Sequence, residues 1–232
     1  MLPTIHIGKY IFDSYTVFTN FGTLIGLFVM YLLLQKNCKR EKHSYKLVII
    51  VFVIMAASAP FASFIKGLFR NGNGTATHFL GRVLMAVAIL PIIYRFVWRE
   101  KDELLQAQNC VAAYFAIQHF FNRLACWLNG CCGGKMVGKV QFPSQIVEML
   151  GVAILLVLIL ISIKREKSFY YQYCICFAIL IFASEFGIEE TKVNVIVTAP
   201  ITGVQLGALI LLFISVLYMF LERKLGDCSH KR

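Results

Sequence analysis

The chain has 232 residues, of which 59% are hydrophobic and only 15% are charged, and its mean hydropathy is +0.72. A soluble domain of this length cannot bury so much apolar surface, so the composition predicts an integral membrane protein. The formal net charge of +11 comes from short basic clusters beside the apolar runs. Such clusters suit anionic lipid headgroups, and no nucleic-acid role is predicted.

Seven largely uncharged runs have lengths near the roughly 20 residues that a helix needs to cross the hydrocarbon of a bilayer. They cover approximately Ser14 to Gln35, Leu47 to Ile65, His78 to Tyr94, Leu104 to Asn122, Ser144 to Ile163, Ser168 to Ser184 and Val193 to Leu221. We expect each to be a helix, because a span in lipid must satisfy its own backbone hydrogen bonds and no alternating barrel pattern is present. The sequence therefore predicts an all-α membrane protein, with about seven transmembrane helices in a single domain over residues 1–232.

Lysine and arginine are divided unevenly between the loops on the two sides of these spans. Fifteen of the 23 fall in one set of loops and six in the opposite set, while Arg82 and Arg123 lie at or inside spans. Cytoplasmic loops retain the excess of positive charge. The split therefore places the N-terminus outside and the C-terminus in the cytoplasm, which requires an odd number of spans.

Ionisable residues within the predicted spans point to a function. A charge at the middle of a span costs about 2.5 to 3.5 kcal/mol on insertion scales, so such residues tend to face an interior cavity. The residues concerned are Arg123, Glu148 and Glu185, with His78, Arg82 and His119 as weaker cases. By the predicted topology Arg123, Glu148, Glu185 and His78 all lie toward the outer face, so they could converge on one cavity.

Each of these residues also has a structural interpretation. Arg123 could extend its charge to the outer interface along an apolar stem. Glu148 and Glu185 could be ion-pair partners of Arg123 or Arg82. His78, which follows a Gly-Asn-Gly sequence, could be an ordinary interface residue.

The stretch from Arg123 to Glu148 combines an arginine, amide side chains, a carboxylate and a glycine-rich turn at the end of a predicted helix. A lipid headgroup would lie at that depth. Pro143 and Ser144 are typical of a helix start, with Ser144 as the cap. That interpretation leaves Gln145 and Glu148 unexplained, and the stretch therefore predicts the site of a membrane-embedded enzyme.

Three of the eight cysteines lie in this stretch, on the predicted outer side of the membrane, namely Cys126, Cys131 and Cys132. A Cys-x4-Cys-Cys run without a second Cys/His pair matches no standard zinc spacing, so no metal is predicted. Packing at a tight turn is the favoured interpretation of these residues.

Two motifs in this stretch resemble a known family. The residues from Arg123 to Lys135 are similar to the signature Gly-Arg-x-Gly-Asn-Phe-Ile-Asn-Gly-Glu-x-x-Gly of the bacterial prolipoprotein diacylglyceryl transferases. The run from Phe142 to Glu148 is similar to that family's Tyr-Pro-Ser-Gln-Leu-Tyr-Glu. The resemblance extends over the whole chain, and its further matches are Tyr15, Gly22, Glu185 and Gln205.

The resemblance implies transfer of a diacylglyceryl group from phosphatidylglycerol to the lipobox cysteine of an exported preprolipoprotein, at the bacterial cytoplasmic membrane and without a cofactor. It implies catalytic roles for Tyr15, His78, Arg123 and Glu185. It implies substrate binding by the following residues: Asn129, Gly130, Gly134, Ser144, Gln145, Glu148 and Gln205. A planar guanidinium suits the departing phosphate, and a histidine or carboxylate suits the acceptor thiol as a base.

Several family positions carry other residues here. Ala125 and Cys126 stand where the family has Gly and Asn, and Cys131 stands where it has Glu. Ile181 and Ile188 replace arginines on either side of Glu185. The sequence therefore leaves two alternatives open beside the family's reaction. One is a transferase on the same fold that uses another acceptor and a cysteine, and the other is a non-catalytic membrane protein that binds lipid or a partner.

Overall fold

A computed structural model describes residues 4–37, 45–53, 56, 101–130, 136–137, 139–185 and 203–229. These residues are mostly helical. The long helices are α1 (Ser14–Asn37), α2 (Lys101–Asn129), α3 (Ser144–Lys164), α4 (Tyr170–Glu185) and α5 (Gly203–Ser229). Residues 45–53 are also helical. The predicted all-α class is therefore confirmed in outline for the described part of the chain.

Two small antiparallel hairpins, which the sequence did not predict, precede α1 and α3. The first pairs β1 (Thr4–Ile7) with β2 (Tyr10–Asp13), and Gly8 adopts φ +61° in its turn. The second pairs β3 (Met136–Val137) with β4 (Val140–Gln141).

Asp13 caps the N-terminus of α1. Its Oδ2 accepts hydrogen bonds from the Thr16 backbone N–H at 2.9 Å and from the Thr16 hydroxyl at 2.8 Å. Both bonds favour the carboxylate and hold the pKa of Asp13 below its usual value, the backbone bond most strongly. The cap explains why α1 begins at Ser14, the residue that the sequence predicts.

Three described helices are long and apolar enough to cross a membrane, namely α1, α3 and residues Val204–Leu221 of α5. Their outer faces carry exposed apolar side chains such as Leu24, Ile154 and Phe213, each more than 60% exposed. These faces suit contact with lipid. α4 is apolar but shorter, with 16 residues. The predicted span from His78 to Tyr94 lies outside the described residues.

α2 lies at the centre of the described helices, because it packs against α1, α3 and α4. Every residue from Gln106 to His119 is buried, whichever side of the helix it occupies. Several of these side chains are polar, among them Gln108, Asn109 and Gln118. A helix enclosed on all sides is shielded from lipid by its neighbours, so it tolerates polar residues that a lipid-facing helix excludes.

Glycines bring α1 into close contact with α2. Gly22 and Gly26, four residues apart, are both buried, and a Cβ on Gly26 would lie 2.9 Å from Tyr114 Cδ2. A Cβ on Gly22 would overlap the side chain of Phe121. Small residues at this spacing allow helix backbones to approach in membranes. This contact sets the start of α1 beside the end of α2.

Toward the opposite end of α2, Asn109 forms hydrogen bonds with the loop between α3 and α4. Its amide nitrogen donates to the Lys167 carbonyl at 2.7 Å, and its amide oxygen accepts from the Phe169 N–H at 2.9 Å. Because the polypeptide turns back at this loop, the bonds fix how α4 returns along α2. They help to place the far end of α4 beside the far end of α2.

One predicted helix cap needs correction. Pro143 takes the cap position of α3 and Ser144 is the first helical residue, with no side-chain capping bond, so the prediction of Ser144 as the cap was wrong. The backbone does start the helix there, because the Val147 N–H donates to the Pro143 carbonyl at 3.1 Å. The last helix begins at Gly203 among the described residues, and the predicted start at Val193 lies outside them.

Candidate functional site

Polar side chains from three helices meet at one end of the bundle. α2 contributes His119 and Arg123, which lie one helical turn apart on the same face. α3 contributes Glu148 from its first turns, and α4 contributes Ser184 from its last turn. Since α2 and α4 end where α3 begins, antiparallel packing brings these groups together. We call this end of the bundle the site end.

Glu148 is the centre of the cluster. Its Oε2 lies 2.5 Å from Arg123 Nε and 3.0 Å from His119 Nε2, while its Oε1 accepts a hydrogen bond from the Ser184 hydroxyl at 2.9 Å. The side chain of Glu148 is 1% exposed and that of Arg123 is 5% exposed. A single carboxylate therefore ties α2 to α4 through α3.

This arrangement satisfies the main requirement of a buried charge, which is compensation by an opposite charge and by hydrogen bonds. One structural interpretation had Arg123 extending its charge away from the bundle, but the residue is buried within it. Instead its Nε–H engages Glu148, as the other structural interpretation proposed. A guanidinium carries five N–H donors in a rigid fork, and the bond to Glu148 uses the one on Nε.

His119 is held on two sides. Its ring meets the ring of Phe177 edge-on, with centroids 4.9 Å apart, and its Nε2 faces the Glu148 carboxylate. Because an ionised carboxylate only accepts hydrogen bonds, Nε2 is the protonated nitrogen in this contact. The imidazole is 1% exposed, so packing and hydrogen bonding fix its orientation together.

The start of α1 packs against the site end on a further side. The Tyr15 hydroxyl donates to Asn122 Oδ1 at 2.9 Å, next to Arg123 in the sequence. Gln118 Nε2 donates more weakly to the Thr23 hydroxyl at 3.3 Å. Tyr15 is thus placed against the helix that carries Arg123, and its predicted catalytic role stays a prediction.

The remaining predicted residues occupy different positions around the cluster. Ser144, Gln145, Glu185 and Gln205 are all buried, which places polar groups from α3, α4 and α5 in the interior. Asn129 and Gly130 are partly buried, and Gly130 adopts φ +69° where α2 ends. Such a turn favours glycine. His78 and Gly134 lie outside the described residues.

Sequence reasoning gave too little weight to two members of the cluster. His119 appeared only as a weaker candidate, although its spacing of four residues from Arg123 already put both on one helix face. Ser184 is only the end of a predicted span in the sequence, and no local pattern marks it. Its contact with Glu148 arises from helix packing, which spacing within one helix cannot reveal.

The replaced family positions are apolar or small where the structure describes them. Ala125, Cys126 and Ile181 are buried, with Cys126 2% exposed. The Ile181 carbonyl also accepts a hydrogen bond from the Ser184 hydroxyl at 3.0 Å. α4 therefore brings the Ser184 hydroxyl to Glu148. Cys131, Cys132 and Ile188 lie outside the described residues.

A comparison with protein families gives one match. The model of the prolipoprotein diacylglyceryl transferase family covers residues 3–221, which include α1, the whole cluster and most of α5. No curated protein matches the chain. The resemblance seen in two motifs thus extends over most of the 232 residues. This chain belongs to the prolipoprotein diacylglyceryl transferase family.

Proposed function

We propose that this protein transfers a diacylglyceryl group from phosphatidylglycerol to the lipobox cysteine of an exported preprolipoprotein. The family is a family of membrane transferases. The observation that best supports the proposal is the buried Arg123, which Glu148 holds in a fixed orientation beside the polar residues of the site end. A bacterial cytoplasmic membrane is the corresponding location.

The lipid phosphate is the part of the donor that Arg123 is suited to hold. The Nε contact with Glu148 fixes the plane of the guanidinium, and a planar fork can engage two phosphate oxygens at once. Gln145, buried near the start of α3, offers an amide for the same headgroup. Preorganised donors of this kind stabilise the negative charge that grows on a departing phosphate.

The reaction requires a nucleophile and a base as well as this clamp. The lipobox thiolate attacks the glyceryl carbon, a carbon–sulfur bond forms, and the carbon–oxygen bond to phosphate breaks, which releases glycerol phosphate. The thiol loses its proton to a base before or during attack, since the thiolate is the nucleophile. We assign this step to His78. We also assign catalytic roles to Tyr15 and Glu185.

The proposed topology places this chemistry at the outer face of the membrane. Seven spans with an outside N-terminus put the start of α1, the end of α2 and the start of α3 on that side. The donor lipid and the exported acceptor then meet on one face of the bilayer. The excess of basic residues in the opposite loops supports this orientation.

Complementation tests the proposal in cells. A bacterial strain depleted of its own transferase is supplied with this protein, and lipid attachment to a reporter preprolipoprotein is followed by its shift in gel mobility and by mass. We expect the native chain to restore diacylglyceryl modification. Normal membrane insertion without modification of any lipobox reporter would contradict the proposed acceptor.

A further inference from the structure

The two oxygens of the Glu148 carboxylate contact different helices. Oε2 faces α2, where it lies 2.5 Å from Arg123 Nε and 3.0 Å from His119 Nε2. Oε1 faces α4, where it accepts a hydrogen bond from the Ser184 hydroxyl at 2.9 Å. Glu148 and Ser184 are both buried. The carboxylate is therefore held at both of its oxygens, and α4 provides the hold on Oε1.

Ser184 differs from other helical serines of this chain. A serine within a helix can bond to its own backbone. Ser162 and Ser215 each donate to a carbonyl one turn earlier, at 2.8 Å and 2.7 Å. The Ser184 hydroxyl also lies 3.0 Å from the Ile181 carbonyl. A hydroxyl has one hydrogen, and the charged oxygen of Glu148 is the stronger of the two acceptors. Ser184 thus reaches a buried charge on another helix.

We propose that Ser184 is a positioning residue of the phosphate site. Its hydroxyl sets the rotation of the Glu148 carboxylate, and through the carboxylate it sets the plane of the Arg123 guanidinium. The inference rests on the function proposed above, because it concerns the same clamp for the lipid phosphate. Ser184 acts through Glu148, and it is assigned no contact with the reacting atoms.

The flexibility of a glutamate side chain explains why a second hold matters. The last torsion of glutamate is soft, so a carboxylate held at one oxygen can rotate about the bond that carries it. The bond from Ser184 to Oε1 opposes this rotation, and Oε2 then meets Arg123 Nε from one fixed direction. Because the guanidinium is planar, a fixed Nε–H direction fixes its plane. A donor group already in place stabilises the charge that develops on the departing phosphate.

A matched pair of substitutions separates the hydroxyl from the size of the side chain. Ser184→Thr keeps the hydroxyl, and Ser184→Val has nearly the shape of threonine without it. Transfer to a lipobox peptide is measured in mixed micelles at increasing mole fractions of phosphatidylglycerol, which gives kcat and KM separately. We expect Ser184→Val to lower kcat about tenfold with little change in KM, and Ser184→Thr to stay within about twofold of the native kcat. Ser215→Ala, at a buried serine of α5, should match the native protein.

A second background tests whether Ser184 acts through Arg123. The ammonium of Arg123→Lys has no plane to orient. In that background Ser184→Val should therefore lower the residual kcat by less than about twofold, which makes the two substitutions non-additive. A loss of about tenfold in both backgrounds is the result of a general packing role, and it would overturn the inference.

The remaining outcomes separate this inference from the function on which it rests. Native kcat in Ser184→Val, or equal losses in Ser184→Val and Ser184→Thr, would overturn the role of the hydroxyl and leave the transferase proposal standing. No transfer by the native protein would overturn both. Should Ser184→Val fail to fold, Ser184→Cys replaces it, because a thiol has nearly the shape of the hydroxyl but is a weak donor. Native kcat in Ser184→Cys would then overturn the inference, and a lowered kcat with native KM would support it.

Discussion

Arg123 on α2 and Glu148 on α3 form an ion pair, with Nε and Oε2 2.5 Å apart, that is almost completely shielded from solvent. The same contact that joins the two helices also fixes the plane of the guanidinium. Fold and site are therefore coupled at this pair. Changes to it should affect both stability and activity, and suitable variants can distinguish the two effects.

The pair should be more costly to break than to remove. In Glu148→Gln the Arg123 charge stays buried without its carboxylate, so we expect a loss of about 3–5 kcal/mol in the free energy of unfolding. The double variant Arg123→Met with Glu148→Met leaves no buried charge in the pair and should recover most of that loss, while transfer activity stays absent. Unfolding in mixed micelles measures the stability of both variants, with the exposed Lys139→Met as the control. A double variant as unstable as Glu148→Gln would contradict this account.

Close packing of α1 on α2 should be sensitive to a single methyl group. In Gly26→Ala the new Cβ would lie 2.9 Å from Tyr114 Cδ2 and 3.3 Å from the Tyr114 carbonyl oxygen, so the Tyr114 ring or the helices must shift. We expect a loss of about 1–3 kcal/mol in the free energy of unfolding, the usual cost of overpacking. Leu24→Ala, on the exposed face of α1, is the matched control and should have little effect. Equal stability of Gly26→Ala and the native protein would disprove the close approach.

The cysteines at the end of α2 distinguish the proposed reaction from a thiol-dependent one. Cys126 is buried, and it stands with Cys131 where the family has Asn and Glu. If they are tolerated substitutions, Cys126→Ser and Cys131→Ser should each retain at least about a tenth of the activity, a barrier change of roughly 1.4 kcal/mol or less. Lipidation assays on membranes carrying each variant measure this. Complete loss in a stably folded variant would favour an enzyme that uses its own thiol.

Topology is tested with reporters. A reporter that is active only in the cytoplasm should work when it is fused after Arg232 and fail when it is fused near Met136, because the basic loops are expected inside. The reversed pattern would move the site end to the cytoplasmic face and exclude an exported acceptor.

The sequence predicted the helices well where composition alone determines them. α1 begins at Ser14 as predicted, and α3 covers the predicted run to within one residue. For α2 the predicted span stops at Asn122 because Arg123 ends the uncharged run, whereas the helix continues to Asn129. It continues because Glu148 compensates the arginine, and that partner comes from another helix.

The site was predictable only in part for the same reason. Arg123, Glu148 and Glu185 were identifiable because a charge in a predicted span needs an explanation. The roles of His119 and Ser184 depend on which oxygen of Glu148 each one meets, and that depends on how α2, α3 and α4 pack. A hydroxyl near a helix end is ordinary in a sequence. Its contact with a buried carboxylate is visible only in the structure.

A purified transfer assay tests the central claim most directly. The full chain in phosphatidylglycerol vesicles is given a lipobox peptide, and mass spectrometry detects a thioether-linked diacylglyceryl group on the cysteine. We expect modification by the native protein and by Arg165→Lys, a control at the opposite end of α3. Arg123→Lys should be at least about a hundredfold slower, because an ammonium cannot hold Glu148 and a phosphate in one planar fork. Full activity of Arg123→Lys, or no modification by the native protein, would contradict the account.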